Sequence, residues 1–261
     1  MLNFKKIFVR KLTEIGVKKN QTIILTFDLL KLILFLRKKK IQLNLDDIIE
    51  SIKQIIGENG NIIVYSFFWE FFKTGVFDYN KAKSASGSLS NYLLNKKEFS
   101  RTKHPVYSIL VWGKNKKEIL KINHTDCFSL KSPFGYLLKK NSKLLFLDID
   151  FKKTGFPFFH LAEQSIGVYY RFFKEFKGIR IENGKKKNIS FKMFVRKENY
   201  KMLTYYSPQT EKILKKSNAL KKAKLFSSEL TFLDLKKLYK LTLDQLNIEK
   251  NMILRKETKV S

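Results

Sequence analysis

The chain has 261 residues, 44% of them hydrophobic, which is enough for one large domain with a substantial core and excludes a disordered chain. Its 53 Lys and Arg outnumber its 23 Asp and Glu, and the net charge of +30 favours anionic partners: nucleic acid, anionic lipid or a phosphorylated small molecule. Lys, Phe, Ile, Leu and Asn recur everywhere, so a compositional habit accounts for the charge as well as a dedicated binding surface does.

Residues 6–16 read as a short helix ended by Gly16, and Gln21 to Phe27 as a buried strand. The longest apolar run, Ile23 to Leu36, contains Asp28 and Lys31 and falls short of the roughly 20 residues that cross a bilayer, so no span is expected. The start, Met1-Leu2-Asn3-Phe4-Lys5-Lys6, has no sustained apolar segment or small-residue cleavage site, and the cytoplasm is the expected location. Asp46-Asp47 opens an amphipathic helix with Ile48, Ile49, Ile52, Ile55 and Ile56 on one face, and Gly57 to Asn61 separates it from a strand at Ile62 to Phe68. Further strands are expected at Val106 to Trp112, Lys143 to Ile149 and Ile189 to Val195. Residues 212–224, half of them Lys, read as a solvated helix face or loop. Thr231 and Asp234 match a capping box, followed by a helical stripe of Phe232, Leu235, Leu238 and Tyr239. These alternations predict one α/β domain over 1–261, a mixed sheet covered by helices, with residues 196–261 as a C-terminal helical subregion.

Chemistry has few candidates. Cys127 is the single cysteine, cannot form an intramolecular disulfide, and reads as a buried small hydrophobe in a reducing compartment. The histidines are His104, His124 and His160. In a helix, His160 and Glu163 share a face, so the carboxylate can orient an imidazole base, although the same spacing also describes an ordinary surface contact. His104 precedes Pro105 and a strand, which suits a ligand contact or a satisfied structural histidine equally. Ser84 to Ser90 is a small-residue segment without the Gly-Lys-Ser/Thr of a nucleotide-binding loop, and an ordinary polar loop is the simpler reading. No cluster has zinc spacing, and no metal is expected.

The order of these segments resembles the aminoglycoside 3-N-acetyltransferase family along nearly the whole chain. The resemblance runs through Leu12-Thr13-Glu14-Ile15-Gly16-Val17, Gly60-Asn61-Ile62-Ile63-Val64, Phe77-Asp78 and Ser86-Gly87-Ser88-Leu89. It continues through Arg101-Thr102-Lys103-His104-Pro105-Val106-Tyr107-Ser108, Ser132-Pro133-Phe134-Gly135, His160-Leu161-Ala162-Glu163 and Tyr170-Arg171-Phe172-Phe173-Lys174. It implies a fold distinct from the commoner acetyltransferase superfamily and transfer of an acetyl or short acyl group from coenzyme A to an amino-sugar amine. It also places His160 and Glu163 at the catalytic centre, Arg101, Thr102, His104 and Ser108 along the coenzyme site, and Asp28 and Asp78 on the acceptor side.

Three segments depart from the family pattern: Leu25-Thr26-Phe27-Asp28-Leu29, Phe128-Ser129-Leu130-Lys131-Ser132-Pro133, and Phe156-Pro157-Phe158-Phe159 ahead of His160. A polycationic acceptor calls for an acidic cleft, which a +30 chain is poorly supplied to build, so a nucleotide-linked amino sugar is the alternative acceptor. Outside enzymology, a basic nucleic-acid-binding protein with stacking aromatics is the competing class, and a membrane-surface protein is another. The basic residues are spread along the chain rather than gathered in one arm, so no specific nucleic acid is expected.

Overall fold

Asn3 caps the first helix by accepting the Lys6 amide at 2.9 Å, and Gly16, at φ +106°, closes it. The computed structural model describes residues 3–152, 157–198, 200–202, 206, 208–248 and 254–256. In chain order the elements are α1 (Phe4–Ile15), β1 (Thr22–Phe27), α2 (Leu30–Lys38), α3 (Leu45–Ile56), β2 (Asn61–Tyr65), α4 (Phe71–Thr74), β3 (Val76–Asp78), α5 (Ser88–Leu93), β4 (Ser100–Arg101), β5 (Ile109–Gly113) and α6 (Lys116–Lys121). They continue as α7 (Pro133–Lys139), β6 (Lys143–Leu147), α8 (Pro157–Ile166), β7 (Arg171–Glu182), β8 (Lys185–Arg196), β9 (Tyr200–Met202), α9 (Pro208–Lys216), β10 (Leu220–Leu225), β11 (Ser228–Asp234), α10 (Leu235–Ile248) and β12 (Leu254–Lys256).

Seven strands form the main sheet in the order β10-β11-β6-β1-β2-β5-β4. The centre, β6-β1-β2, is parallel, and every outer pairing is antiparallel. Central strands buried on both faces explain the unbroken apolar run Ile23-Ile24-Leu25. Ile23, Leu25, Ile62, Val64 and Leu145 pack on one side with Phe8, Leu12, Leu32 and Ile52 of α1 to α3. Ile24, Ile63, Leu144 and Phe146 pack on the other with Phe134 and Leu137 of α7, Phe158 and Phe159 of α8, and Leu235 and Leu238 of α10. The result is the mixed sheet covered by helices that the sequence predicted.

Several elements differ from the sequence reading for identifiable reasons. β5 begins at Ile109 rather than Val106, because the His104 ring takes the Val106 and Tyr107 amides out of any ladder. The Lys-rich stretch splits into α9 and an edge strand, β10, whose Lys221, Lys222 and Lys224 are exposed or half-exposed between buried Leu220 and Leu225. Thr231 and Phe232 lie in β11, not in a capping box; Asp234 caps α10 by accepting the Lys237 amide at 2.9 Å. Residues 196–261 therefore supply α9 and α10 and also two strands of the main sheet. The predicted strand at 189–195 is half of the long hairpin β7–β8, which pairs with β3 in a second sheet and turns at Asn183 (φ +50°) and Gly184 (φ +76°).

Candidate active site

β1 has β2 on one side and β6 on the other, and the chain leaves these strands over opposite faces of the sheet. That arrangement leaves a crevice outside the carboxyl ends of the strands, the usual ligand position in an open α/β sheet. A cavity of about 430 Å³ occupies it, walled by Leu25, Thr26 and Phe27 of β1, Val64 and Tyr65 of β2 and Phe146 of β6. Phe67, Trp69, Ser86, Leu89, Ser90 and Tyr107 complete one side, and Pro157 and His160 of α8 the other.

α8 is almost entirely buried, with Phe158, Phe159, Leu161 and Ala162 fixed in the core, so its orientation is set by packing. One helical turn carries both His160 and Glu163. His160 Nδ1 lies 2.7 Å from Glu163 Oε2. A carboxylate only accepts, so Nδ1 carries the proton and Nε2 carries the lone pair. Glu163 is fully buried, and three groups compensate it: His160, the Tyr170 hydroxyl donating to Oε1 at 3.0 Å, and Arg171 ion-paired with Oε2 at 2.9 Å. Arg171 is anchored in turn by donating to the Phe194 carbonyl at 3.0 Å, and its Nη2 lies 3.2 Å from His160 Nδ1. Burial lowers the His160 pKa below 6.5, against the upward pull of Glu163 and with a further downward push from Arg171 and Arg196. Burial alone would raise Glu163, but its hydrogen bond and charge contacts with His160 and Arg171 lower it below 4.5. At neutral pH the pair is a neutral imidazole over an ionised carboxylate, the state of a ready general base.

The other sequence candidates occupy different ground. Arg101, Thr102, His104 and Ser108 are buried and spend their polar atoms within the protein. Arg101 donates to Ser108 Oγ, the Ala82 carbonyl and the Ser66 carbonyl; Thr102 Oγ1 accepts the Ile109 amide; Ser108 donates to the Ser66 carbonyl. His104 Nδ1 accepts the Val106 and Tyr107 amides at 3.0 and 2.9 Å, so its proton is on Nε2, 3.0 Å from Cys127 Sγ. None of these four lines the cavity, whereas Tyr107, held by His104, does. Asp28 is exposed and accepts the Leu30 amide, Asp78 accepts the amides of Asn80 and Lys81, and neither lines the cavity. Cys127 is buried, as read from the sequence. Among the described residues, no group of three or more His, Cys, Asp or Glu side chains is placed to hold a metal ion, and no helix is long and apolar enough to cross a membrane.

Sequence reasoning missed Tyr170 and Arg171 as partners of Glu163, and the cavity hydroxyls of Thr26 and Tyr65; Ser90 belongs to the Ser84 to Ser90 segment, whose simpler reading is an ordinary polar loop. The Asn183-Gly184 turn was the available signal for the hairpin whose first residue is Arg171.

A helix-borne histidine, hydrogen-bonded to a buried carboxylate, thus lines a cavity at the switch point of a mixed α/β sheet. The aminoglycoside 3-N-acetyltransferase family model matches residues 36–247, and the chain belongs to that family. The sequence is 33% identical over 115 residues to the SPbeta prophage-derived aminoglycoside N(3')-acetyltransferase-like protein YokD of Bacillus subtilis (strain 168); this stretch is 42% of the chain and 41% of that protein. Among solved structures, AAC-IIIb in binary complex with CoASH matches with a TM-score of 0.78 at 13% identity, over 95% of this chain and 97% of that one. YokD from Bacillus subtilis matches at 0.74 and 20% identity over 97% of both chains. Sisomicin-bound AAC-VIa matches at 0.76 and 13% identity, over 95% and 99%. At these identities the likeness is one of fold.

Proposed function

We propose that this protein transfers an acetyl or short acyl group from coenzyme A to an amino group of an amino sugar, with His160 as general base and Glu163 as the group that orients and charge-stabilises it. The observation that carries this reading is the 2.7 Å contact of His160 Nδ1 with a carboxylate that Tyr170 and Arg171 hold in place, on the wall of the switch-point cavity. An alkylammonium is not a nucleophile. Neutral His160 takes a proton from the bound ammonium, and the freed nitrogen lone pair bonds to the thioester carbonyl carbon. As the carbon–sulfur bond breaks, the imidazolium returns that proton to the departing thiolate to give the free thiol, and the nitrogen's second proton passes through His160 to solvent. The imidazolium formed on the way is stabilised by Glu163.

Family membership supports the reaction class, and the binary complex of AAC-IIIb with CoASH supports the donor. The described cavity wall has no Asp, Glu, Lys or Arg side chain, and its His160 is neutral, so the reacting carbonyl would meet an aromatic, water-poor surface, while the +30 chain suits the phosphates of the donor. In this reading Arg101, Thr102, His104 and Ser108 serve the coenzyme site indirectly, by bracing Ser66 and Tyr107 behind the cavity wall. Asp28 and Asp78 have no assigned step.

The test is thiol release from acetyl-coenzyme A with a panel of aminoglycosides and amino sugars, free and nucleotide-linked. Turnover that falls about 10³-fold in His160→Ala with coenzyme binding retained is the expected result. Undiminished turnover in that variant would remove His160 from the mechanism.

A further inference from the structure

Three hydroxyls on the cavity wall have no hydrogen-bond partner among the described residues: Thr26 Oγ1, Tyr65 OH and Ser90 Oγ. Each is a buried atom, and Tyr65 and Ser90 are 5% and 0% exposed as whole residues. A buried hydroxyl left unpaired costs roughly 1–3 kcal/mol, so three lining one cavity point to a ligand that pairs with them. The register Leu25 opposite Val64 sets Thr26 and Tyr65 side by side at the carboxyl ends of β1 and β2, on the same face of the sheet. Burial raises the Tyr65 pKa, which keeps its hydroxyl protonated and able to donate. Trp69, 42% exposed, also lines the cavity and packs edge-on against Tyr107 at 5.3 Å, leaving an aromatic surface for a sugar ring.

The same wall contains no Asp or Glu among the described residues. The nearest carboxylate to the base, Glu163, is fully buried and already compensated by Arg171 and Tyr170. An acceptor with several ammonium groups would leave most of them without counter-charge here, at a desolvation cost that an uncharged hydroxyl does not incur.

Resting on the acyl-transfer reading above, we infer that the acceptor is a neutral-bodied amino sugar with a single amine, whose ring hydroxyls pair with Thr26, Tyr65 and Ser90, rather than a polycationic aminoglycoside. The amine presented to His160 is then the acceptor's only charge, and it disappears when the base takes its proton.

The experiment measures steady-state thiol release from acetyl-coenzyme A with a monoamino hexose and with sisomicin, in the intact protein and in Thr26→Val, Tyr65→Phe and Ser90→Ala. These variants lose no internal hydrogen bond, so they are expected to fold with unchanged or slightly raised Tm. The expected result is a kcat/KM for the monoamine about 10²-fold or more above that for sisomicin. Each variant should raise the monoamine KM by roughly 3- to 10-fold while leaving the acetyl-coenzyme A KM in place. Equal or better use of sisomicin overturns the inference while leaving acyl transfer intact. So does a rise in the acetyl-coenzyme A KM instead, which would assign the hydroxyls to the donor. No thiol release with either amine, in a protein that also fails to bind acetyl-coenzyme A, would sink the acyl-transfer reading and this one with it.

Discussion

His104 and His160 are both largely buried rings within reach of other polar groups, yet the fold treats their Nδ1 atoms in opposite ways. At His104 that atom accepts two backbone amides; at His160 it faces a buried carboxylate. Two amide donors hold a neutral ring and reject a proton, and burial beside His124 pushes the His104 pKa well below 6.5. A carboxylate welcomes the imidazolium and leaves Nε2 as the basic nitrogen. Burial lowers the pKa of both rings, and the group on Nδ1 distinguishes them: two amides hold His104 neutral, while a carboxylate beside His160 favours its imidazolium.

Exchanging the two roles by mutation gives the largest expected effects. His160→Ala should lower kcat about 10³-fold with a small change in Tm, since the ring is partly exposed to the cavity. His104→Ala should do the reverse: it orphans two buried amides and leaves a void against Phe191 and Cys127, for a loss of about 2–4 kcal/mol. Parallel calorimetry and kinetics on both variants would read this, and a 10³-fold kcat loss with unchanged Tm in His104→Ala would break the comparison.

Glu163→Gln sharpens it. Glu163 raises the His160 pKa while Arg171 lowers it, so removing the negative charge should drive the base's pKa further down. The acid limb of the kcat/KM profile, already below pH 6.5, should move to lower pH, and kcat should fall about tenfold or more, less than on deleting the base. An acid limb that moves up or stays fixed would mean that another group limits the reaction.

Much of this was legible in the sequence. The buried runs Ile23-Ile24-Leu25 and Leu144-Leu145-Phe146 gave the central strands, because strands covered on both faces need no alternation. The His160–Glu163 pair was visible as an i,i+3 spacing, but what makes it more than a surface contact, the burial of Glu163 and its grip by Tyr170 and Arg171, depends on a hairpin docking against α8. The ladder lost by Val106 and Tyr107 was hidden for a similar reason: a β-like apolar stretch was redirected by a side chain two residues upstream. The cavity hydroxyls come from β1, β2 and α5, and only the strand order brings them together.

Stability against pH is the next effect down. His104 and His124 are buried and neutral, His124 with its pKa lowered by burial to about 4. In the unfolded chain both titrate near 6.5, so below that pH the unfolded state binds more protons and folding stability is lost as pH falls. Each contributes a slope of roughly 1.4 kcal/mol per pH unit between 6.5 and its folded value. Denaturant unfolding from pH 7 to 5 should show a steep decline that flattens in His124→Phe. An unchanged slope in that variant would place the sensitivity elsewhere.

The smallest predicted effect tests how local the His160 environment is. Gly184 sits at φ +76° in the hairpin turn, where an added Cβ meets no neighbour and the cost is conformational alone. Gly184→Ala should therefore cost about 1 kcal/mol and a few degrees of Tm. Arg171 pairs with Arg196 at the opposite end of the same twelve-residue strands, roughly 35 Å away along the hairpin. The grip of Arg171 on Glu163 depends on that end, on α8 and on the Phe194 carbonyl, none of which the turn touches. Turnover in Gly184→Ala should match the parent, and a kcat loss there would show that the whole hairpin, rather than its first residues, holds the base in place.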